Sequence, residues 1–255
     1  MILLLDVGNT HTHVGWGGKR SLRILGDIPT RSWSTGEAAD LLEPLLRGRI
    51  PGQACFCSVV PGVNRHLLHW ADDRYGLSPL QLTPQTLRGV GIDYPKPDTI
   101  GQDRLANAVA AHHHHGAPSL VVDFGTAVTF DVVNGAGDYA GGIIAPGLSA
   151  MTDYLHEKTA LLPRIRIRNP GRVIGRNTEE AMLSGAVYGY RGLVRGLILE
   201  LHRELGVGRL PVVATGGCAR LIARGLPEID TVSPGLTLEG LRLTSLAHCD
   251  PPLPA

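Results

Sequence analysis

No Gly-x-x-x-x-Gly-Lys-Ser/Thr loop occurs in this 255-residue chain, and no Gly-x-Gly-x-x-Gly opens a helix after a strand. A bound nucleotide is therefore held by neither a P-loop nor a dinucleotide fold. Cysteine is sparse. Cys55, Cys57, Cys218 and Cys249 are too few and too irregularly spaced for a disulfide scaffold or a four-thiolate zinc site, and they read as reduced structural thiols. Neither sign of charge prevails: 24 Lys and Arg against 23 Asp and Glu leave a formal +1, which gives no reason to expect nucleic acid or an anionic membrane as partner. Long apolar runs are missing as well. Asp6 cuts the opening run of residues 1–5 far short of a signal-peptide core, no basic residue precedes that run, and no other stretch reaches membrane-spanning length. The expectation is a cytoplasmic protein with a small-molecule partner, no nucleic acid and no membrane.

What is present is a repetition. Asp6-Val7-Gly8-Asn9-Thr10 and Asp123-Phe124-Gly125-Thr126-Ala127 lie more than a hundred positions apart, each after a compact apolar run, Ile2 to Leu5 and Leu120 to Val122. Each acid should sit where a buried strand ends, followed by a tight glycine turn and hydroxyl side chains. The carboxylate suits a hydrated Mg²⁺, and glycine lets backbone N–H groups approach phosphate oxygens without an intervening Cβ. Either motif alone is compatible with an ordinary strand and hairpin. Their pairing at equivalent places in two halves points to a grip on nucleotide phosphates.

Hydrophobic content of 43% with 18% charged residues is that of a globular chain, and the duplicated turn favours two similar halves, 1–117 and 118–255. The first half reads as strands at 2–6, 12–16 and 22–27, then a helix opened by a Ser34/Glu37 capping box. A strand at 54–60, a helix at 64–75 and a short strand at 79–82 follow. A loop from Gly89 to Gly101, long for a compact domain, leads into an Ala-rich helix at 104–115. The second half repeats the plan with strands at 120–123, 127–133 and 139–144 and then a helix. Asn177 and Glu180 form another capping box ahead of a long helix that ends at Gly206, and a strand at 211–214 leads to the turn Thr215-Gly216-Gly217 and a helix at 218–224. No low-complexity linker separates the halves.

These motifs, together with Gly101-Gln102-Asp103-Arg104, Gly141-Gly142-Ile143, Pro146-Gly147 and Asn177-Thr178, resemble the type III pantothenate kinases over essentially the whole chain. That family is a branch of the superfamily of acetate kinase, sugar kinases, Hsp70 and actin. The resemblance implies an α/β duplicated ribonuclease-H-like (actin-like ATPase) fold, two similar halves with mixed five-stranded sheets flanked by helices and ATP in the cleft between them. It further implies phosphorylation of pantothenate to 4'-phosphopantothenate as the first step of coenzyme A synthesis, with Mg²⁺ and a monovalent cation, K⁺ or NH₄⁺, and a homodimer whose pantothenate pocket lies at the interface.

Phosphoryl transfer requires positioning, charge neutralisation and a base for the attacking hydroxyl. Asp103, at the start of the Ala-rich helix where the dipole favours its ionised form, is the candidate base. Read from the residues alone, it could equally be a capping acid paired with Arg104. Asp6 is placed to organise Mg²⁺, with Val7, Gly8, Asn9, Thr10, His11, Thr12 and His13 in the phosphate turn and Thr126 on the opposite side of the phosphates. Asp123 resembles the monovalent-cation ligand of the family, and its chemistry equally allows a role around Mg²⁺. Arg104 offers a guanidinium fork for the substrate carboxylate. Tyr94, Gly101, Gln102 and Thr178 match substrate-side positions, and Thr215 to Gly217 resembles the adenosine-side motif. Of His112 to His115, only His112 and His115 share a helix face, which argues against a metal site. Cys55 and Cys57 share a strand face and read as packing. The rival readings are another kinase or ATPase of the superfamily, and a non-catalytic regulator.

Overall fold

The computed structural model describes residues 1–249, which form two compact units: 1–117 with 135–140 and 235–249, and 118–134 with 141–234. The first unit opens with β1 (Ile2–Val7), β2 (His11–Gly17) and β3 (Leu22–Pro29), followed by α1 (Ser32–Thr35), α2 (Ala38–Leu46), β4 (Gln53–Ser58), α3 (Pro61–Tyr75), β5 (Leu80–Gln81), β6 (Gly91–Ile92) and α4 (Gln102–His115). Its five-stranded sheet has the order β3-β2-β1-β4-β5. β1 lies antiparallel to β2 and parallel to β4. A central strand covered on both faces must be apolar throughout, and Ile2 to Leu5 are all buried.

The second unit carries β7 (Ser119–Phe124), β8 (Ala127–Val133), the later part of β9 (Asp138–Pro146), α5 (Leu148–Lys158), α6 (Thr178–Leu205), β10 (Val212–Thr215), α7 (Ala219–Ala223) and β11 (Thr231–Val232). The order β9-β8-β7-β10-β11 reproduces that of the first sheet, with β7 antiparallel to β8 and parallel to β10. The duplication read from two short motifs therefore extends to whole sheets. One turn differs in length: three residues link β1 to β2, and two link β7 to β8.

Three expectations need correction. The second sheet has six strands, because β6, inside what reads as a loop, adds its Gly91 and Ile92 beside Asp138 and Tyr139 of β9; two residues are too short to carry a periodic signal. The Ser34/Glu37 box does not form. Ser34 lies inside the one-turn α1, Gly36 ends that helix in the left-handed region at φ 82°, and Glu37 accepts from the Thr35 hydroxyl instead. The helix α8 (Leu236–Cys249) was not expected at all. The Asn177 cap does form, with its side chain accepting from Glu180 N–H at 2.8 Å, while the Glu180 carboxylate accepts from Arg176 N–H. Such a cap contributes about 1 kcal/mol.

Helix α8 fixes α4 from behind. Leu236, Leu238 and Leu241 are buried, and the Thr237 hydroxyl donates to the Asn107 side-chain oxygen at 2.9 Å. The two helices meet at Gly240, where a Cβ would lie 1.9 Å from the Ala106 carbonyl oxygen. Arg242 ties α8 to the β2–β3 turn by donating to Gly18 O and Lys19 O, both at 3.0 Å. With α4 clamped along its length, its first turn, which bears Asp103, has a fixed place.

Candidate functional site

Asp6 sits near the end of β1, and the residue opposite it across the parallel ladder is Cys57 of β4. The Cys57 thiol donates to Asp6 Oδ1 at 3.3 Å. Burial pushes the Asp6 carboxyl up to about 6; His13 opposes that shift, and the negative charge of Asp103 adds to it. The two carboxylates therefore share one electrostatic neighbourhood. Asp103 is also raised, chiefly by burial, against the pull of the Arg104 backbone N–H and guanidinium. Burial together with Asp6 and Asp103 holds the Cys57 thiol neutral, well above its usual range. A desolvated carboxyl beside a second one is an arrangement that a hard cation relieves.

Asp103 lies in the first turn of α4, with Gly101 as N-cap and Arg104 N–H donating to Asp103 Oδ1 at 2.9 Å. A Cβ at Gly101 would come within 2.6 Å of that same Oδ1. Glycine at 101 is what lets the carboxylate lie where it does. The capping contact holds Oδ1 of the carboxylate toward the helix backbone.

In the turn between β1 and β2, Gly8 N–H donates to His11 O at 3.0 Å, and Asn9, Thr10, His11 and His13 are exposed. Val7 and Thr12 are fully buried, and the Thr12 hydroxyl is engaged inside the protein. His13 Nδ1 lies 2.7 Å from Asp27 Oδ1, a partner across β2 and β3 that sequence reading missed.

At the start of α4, Gln102 Oε1 accepts from Ser58 N–H at 2.9 Å and from the Gln81 amide at 3.2 Å. These two bonds settle its orientation and leave the Gln102 NH₂ as the donor end. The Arg104 guanidinium lies over the Tyr139 ring at 5.7 Å, and the Tyr94 ring centroid is 6.1 Å from that of Tyr139. Tyr139, fully buried, is a platform for Arg104 that the sequence disclosed only as a strand residue. Cys57, Ser58, Gln81 and Asp27 were missed for the same reason: each acts through strand register, which no local motif encodes. Parallel pairing of β1 with β4 is the one signal that could have paired Cys57 with Asp6.

In the second unit, Asp123 near the end of β7 stands opposite Thr215 of β10. The chain then turns over it: at Gly216, φ 88°, a Cβ would meet Asp123 Oδ1 at 2.5 Å and Phe124 backbone at 2.7 Å. Thr126 is exposed in the turn, where Gly125 N–H donates to Ala127 O and Gly147 N–H to Thr126 O. A Cβ at Gly147 would lie 2.2 Å from that Thr126 oxygen. Thr178 is the exposed first residue of α6. Among the histidines, His112 pairs with Gly89 O and His114 with Glu239. Among the described residues, no group of three or more His, Cys, Asp or Glu is placed to hold a metal ion. A groove of about 740 Å³ lined by Trp33, Trp70 and Tyr75 holds none of the proposed site residues. No helix among the described residues is long and apolar enough to cross a membrane.

The acid, glycine and hydroxyl arrangement recurs once in each unit, and comparison with known proteins gives it a family. The family model for type III pantothenate kinase matches residues 2–200. The chain belongs to that family. A relative named type III pantothenate kinase, from Akkermansia muciniphila, is 50% identical over 95% of this chain and 97% of its own. Among solved structures, a Campylobacter jejuni protein assigned to the Baf family of transcriptional activators superposes with a TM-score of 0.60 at 17% identity, covering 97% of this chain and 98% of the other. A Sinorhizobium meliloti protein assigned as a 2-dehydro-3-deoxygalactonokinase gives 0.54 at 13%, covering 99% of this chain and 100% of the other. At such identities the likeness shows the fold alone. Membership of the type III pantothenate kinases makes the chain a phosphotransferase.

Proposed function

We propose that this type III pantothenate kinase transfers the γ-phosphoryl group of ATP to the primary hydroxyl of pantothenate, the first step of coenzyme A synthesis. The observation that carries this reading, beside family membership, is the closeness of Asp103 to Asp6, its negative charge adding to the burial that raises the Asp6 carboxyl. One carboxylate suits a cation and the other a proton. Asp103 accepts the proton of the attacking hydroxyl as the oxygen bonds to phosphorus, and ADP leaves. Its pKa, raised chiefly by burial, suits a general base.

Asp6, desolvated and beside a second carboxylate, fits Mg²⁺, which when bound would neutralise phosphate charge. The Gly8 backbone, the exposed residues Asn9, Thr10, His11 and His13, and Thr126 are assigned to phosphate oxygens. Asp123, beneath the backbone at Gly216, offers a carboxylate oxygen, a ligand type suited to K⁺ or NH₄⁺. Arg104, held over Tyr139, is assigned to the pantothenate carboxylate, and Tyr94, Gly101, Gln102 and Thr178 to the rest of the acceptor. A homodimer with the acceptor pocket at its interface is supported by exposed apolar side chains on the second unit: Tyr154, Leu161, Val173 and Ile174.

The test is an assay of purified protein with ATP, Mg²⁺, K⁺ and pantothenate, the product identified by mass. Formation of 4'-phosphopantothenate, lost when K⁺ and NH₄⁺ are both withheld, supports the reading. ADP release only with other acceptors, or none at all, overturns it.

A further inference from the structure

Thr30 lies twenty residues beyond the phosphate turn, yet it holds that turn by two bonds. Its N–H donates to Thr10 O at 3.0 Å, and its hydroxyl donates to Gly8 O at 2.7 Å. It is 2% exposed and follows Pro29, the residue paired with His11 at the end of β3. A third contact, 3.1 Å between the Thr30 and Thr12 hydroxyl oxygens, continues to Trp33, whose indole Nε1 donates to Thr12 Oγ1 at 3.1 Å.

The direction of this relay is fixed by chemistry. Indole N–H is a donor only, and a hydroxyl has a single proton. Thr30 gives its proton to Gly8 O, so Thr12 must give its own to Thr30, and Trp33 supplies the N–H that Thr12 accepts. The chain thus runs from Trp33 through Thr12 and Thr30 to Gly8 without a mismatched link. Thr12 and Trp33 are both buried, so water does not compete for these bonds.

The consequence lies across the peptide bond. In a trans peptide the C=O of Gly8 and the N–H of Asn9 point in opposite directions. Drawing Gly8 O onto Thr30 in the interior turns the Asn9 N–H toward the exposed side of the turn, where a phosphate oxygen would accept it. The Thr30 N–H bond to Thr10 O sets a second peptide plane in the same loop.

We infer that Thr30 is a positioning residue for ATP: its hydroxyl, backed by Thr12 and Trp33, fixes the Gly8–Asn9 peptide plane so that the turn presents its N–H to phosphate. This rests on the reading that the turn binds ATP. The replacement Thr30→Val keeps the shape and the backbone N–H and removes only the hydroxyl. It should weaken ATP binding, read by calorimetry without acceptor, about tenfold, in line with a lost buried hydrogen bond. The ATP KM should rise by the same factor while the pantothenate KM stays within twofold. Thr30→Ser should restore ATP affinity to within twofold. Trp33→Phe, which removes the donor at the far end, should act in the same direction but less. Wild-type ATP affinity in Thr30→Val overturns the inference, as does an equal loss for ATP and pantothenate that serine does not rescue. Should Thr30→Val fail to fold, unchanged ATP affinity in Trp33→Phe overturns it instead. Absence of ATP binding by the unaltered protein would sink the kinase reading itself and is distinguished by that control.

Discussion

The Cys57 thiol donates to Oδ1 of Asp6, the residue directly opposite it on the neighbouring parallel strand. A side chain that reads as strand packing is thus a support for the carboxylate assigned to the cation. This bond works against the burial that raises Asp6. Replacing Cys57 with alanine should therefore push the Asp6 pKa further up and lower kcat/KM about threefold to tenfold, a net loss of about 1 kcal/mol. The acid limb of the kcat/KM profile against pH should move to higher pH. Cys57→Ser, which can donate the same bond, should move it less. An alanine variant with an unshifted profile would show that the thiol is only filling space.

Asp6 also makes the stability of the metal-free protein depend on pH. Its folded pKa, about 6, is above the ordinary 3.8, so between those values the folded state holds the proton more tightly than the unfolded one. Stability from this group therefore rises as pH falls from about 6 toward 3.8, and its ionised form is a penalty above 6. Asp6→Asn removes the penalty. In chelator-treated protein that variant should melt above the unaltered protein at pH 7.5, with the difference shrinking toward zero by pH 4. Equal melting temperatures at pH 7.5 would contradict the shift.

The contact of Gly240 with Ala106 gives a test of how α4 is held. A methyl group at 240 would collide with the main chain of α4, which cannot yield as a flexible side chain can. Gly240→Ala should destabilise by roughly 1–3 kcal/mol through overpacking, although alanine is the better helix former. Urea denaturation measures it. A variant at least as stable as the unaltered protein would show that propensity wins and that the helices are not tightly opposed.

Much of the fold was legible because its signals are local. The apolar runs ahead of Asp6 and Asp123, the glycines after them and the Asn177 cap each act within a few residues, and each is found where the pattern predicts. Helix α8 was missed because nothing in its own sequence announces a start: its burial comes from α4, more than a hundred positions away. The Ser34/Glu37 pattern misled because Gly36 lies inside it and ends one helix before the next begins. In the site, Asp103 and its Gly101 were visible as a motif. Cys57, Gln81, Tyr139 and Thr30 were not, since each reaches the site through strand register or a buried bond. Thr12 shows the converse, a motif residue whose side chain points into the core.

The central claim is that Asp103 is the base of phosphoryl transfer to pantothenate, and Asp103→Asn tests it most directly. Asparagine keeps the size and can still accept the Arg104 N–H, but it cannot take the hydroxyl proton. Single-turnover measurement with saturating ATP, Mg²⁺, K⁺ and pantothenate should show the chemical step slowed by about 10²–10⁴ with ATP affinity unchanged within twofold. A rate within a few-fold of the unaltered protein would contradict the account and return Asp103 to the role of a capping acid.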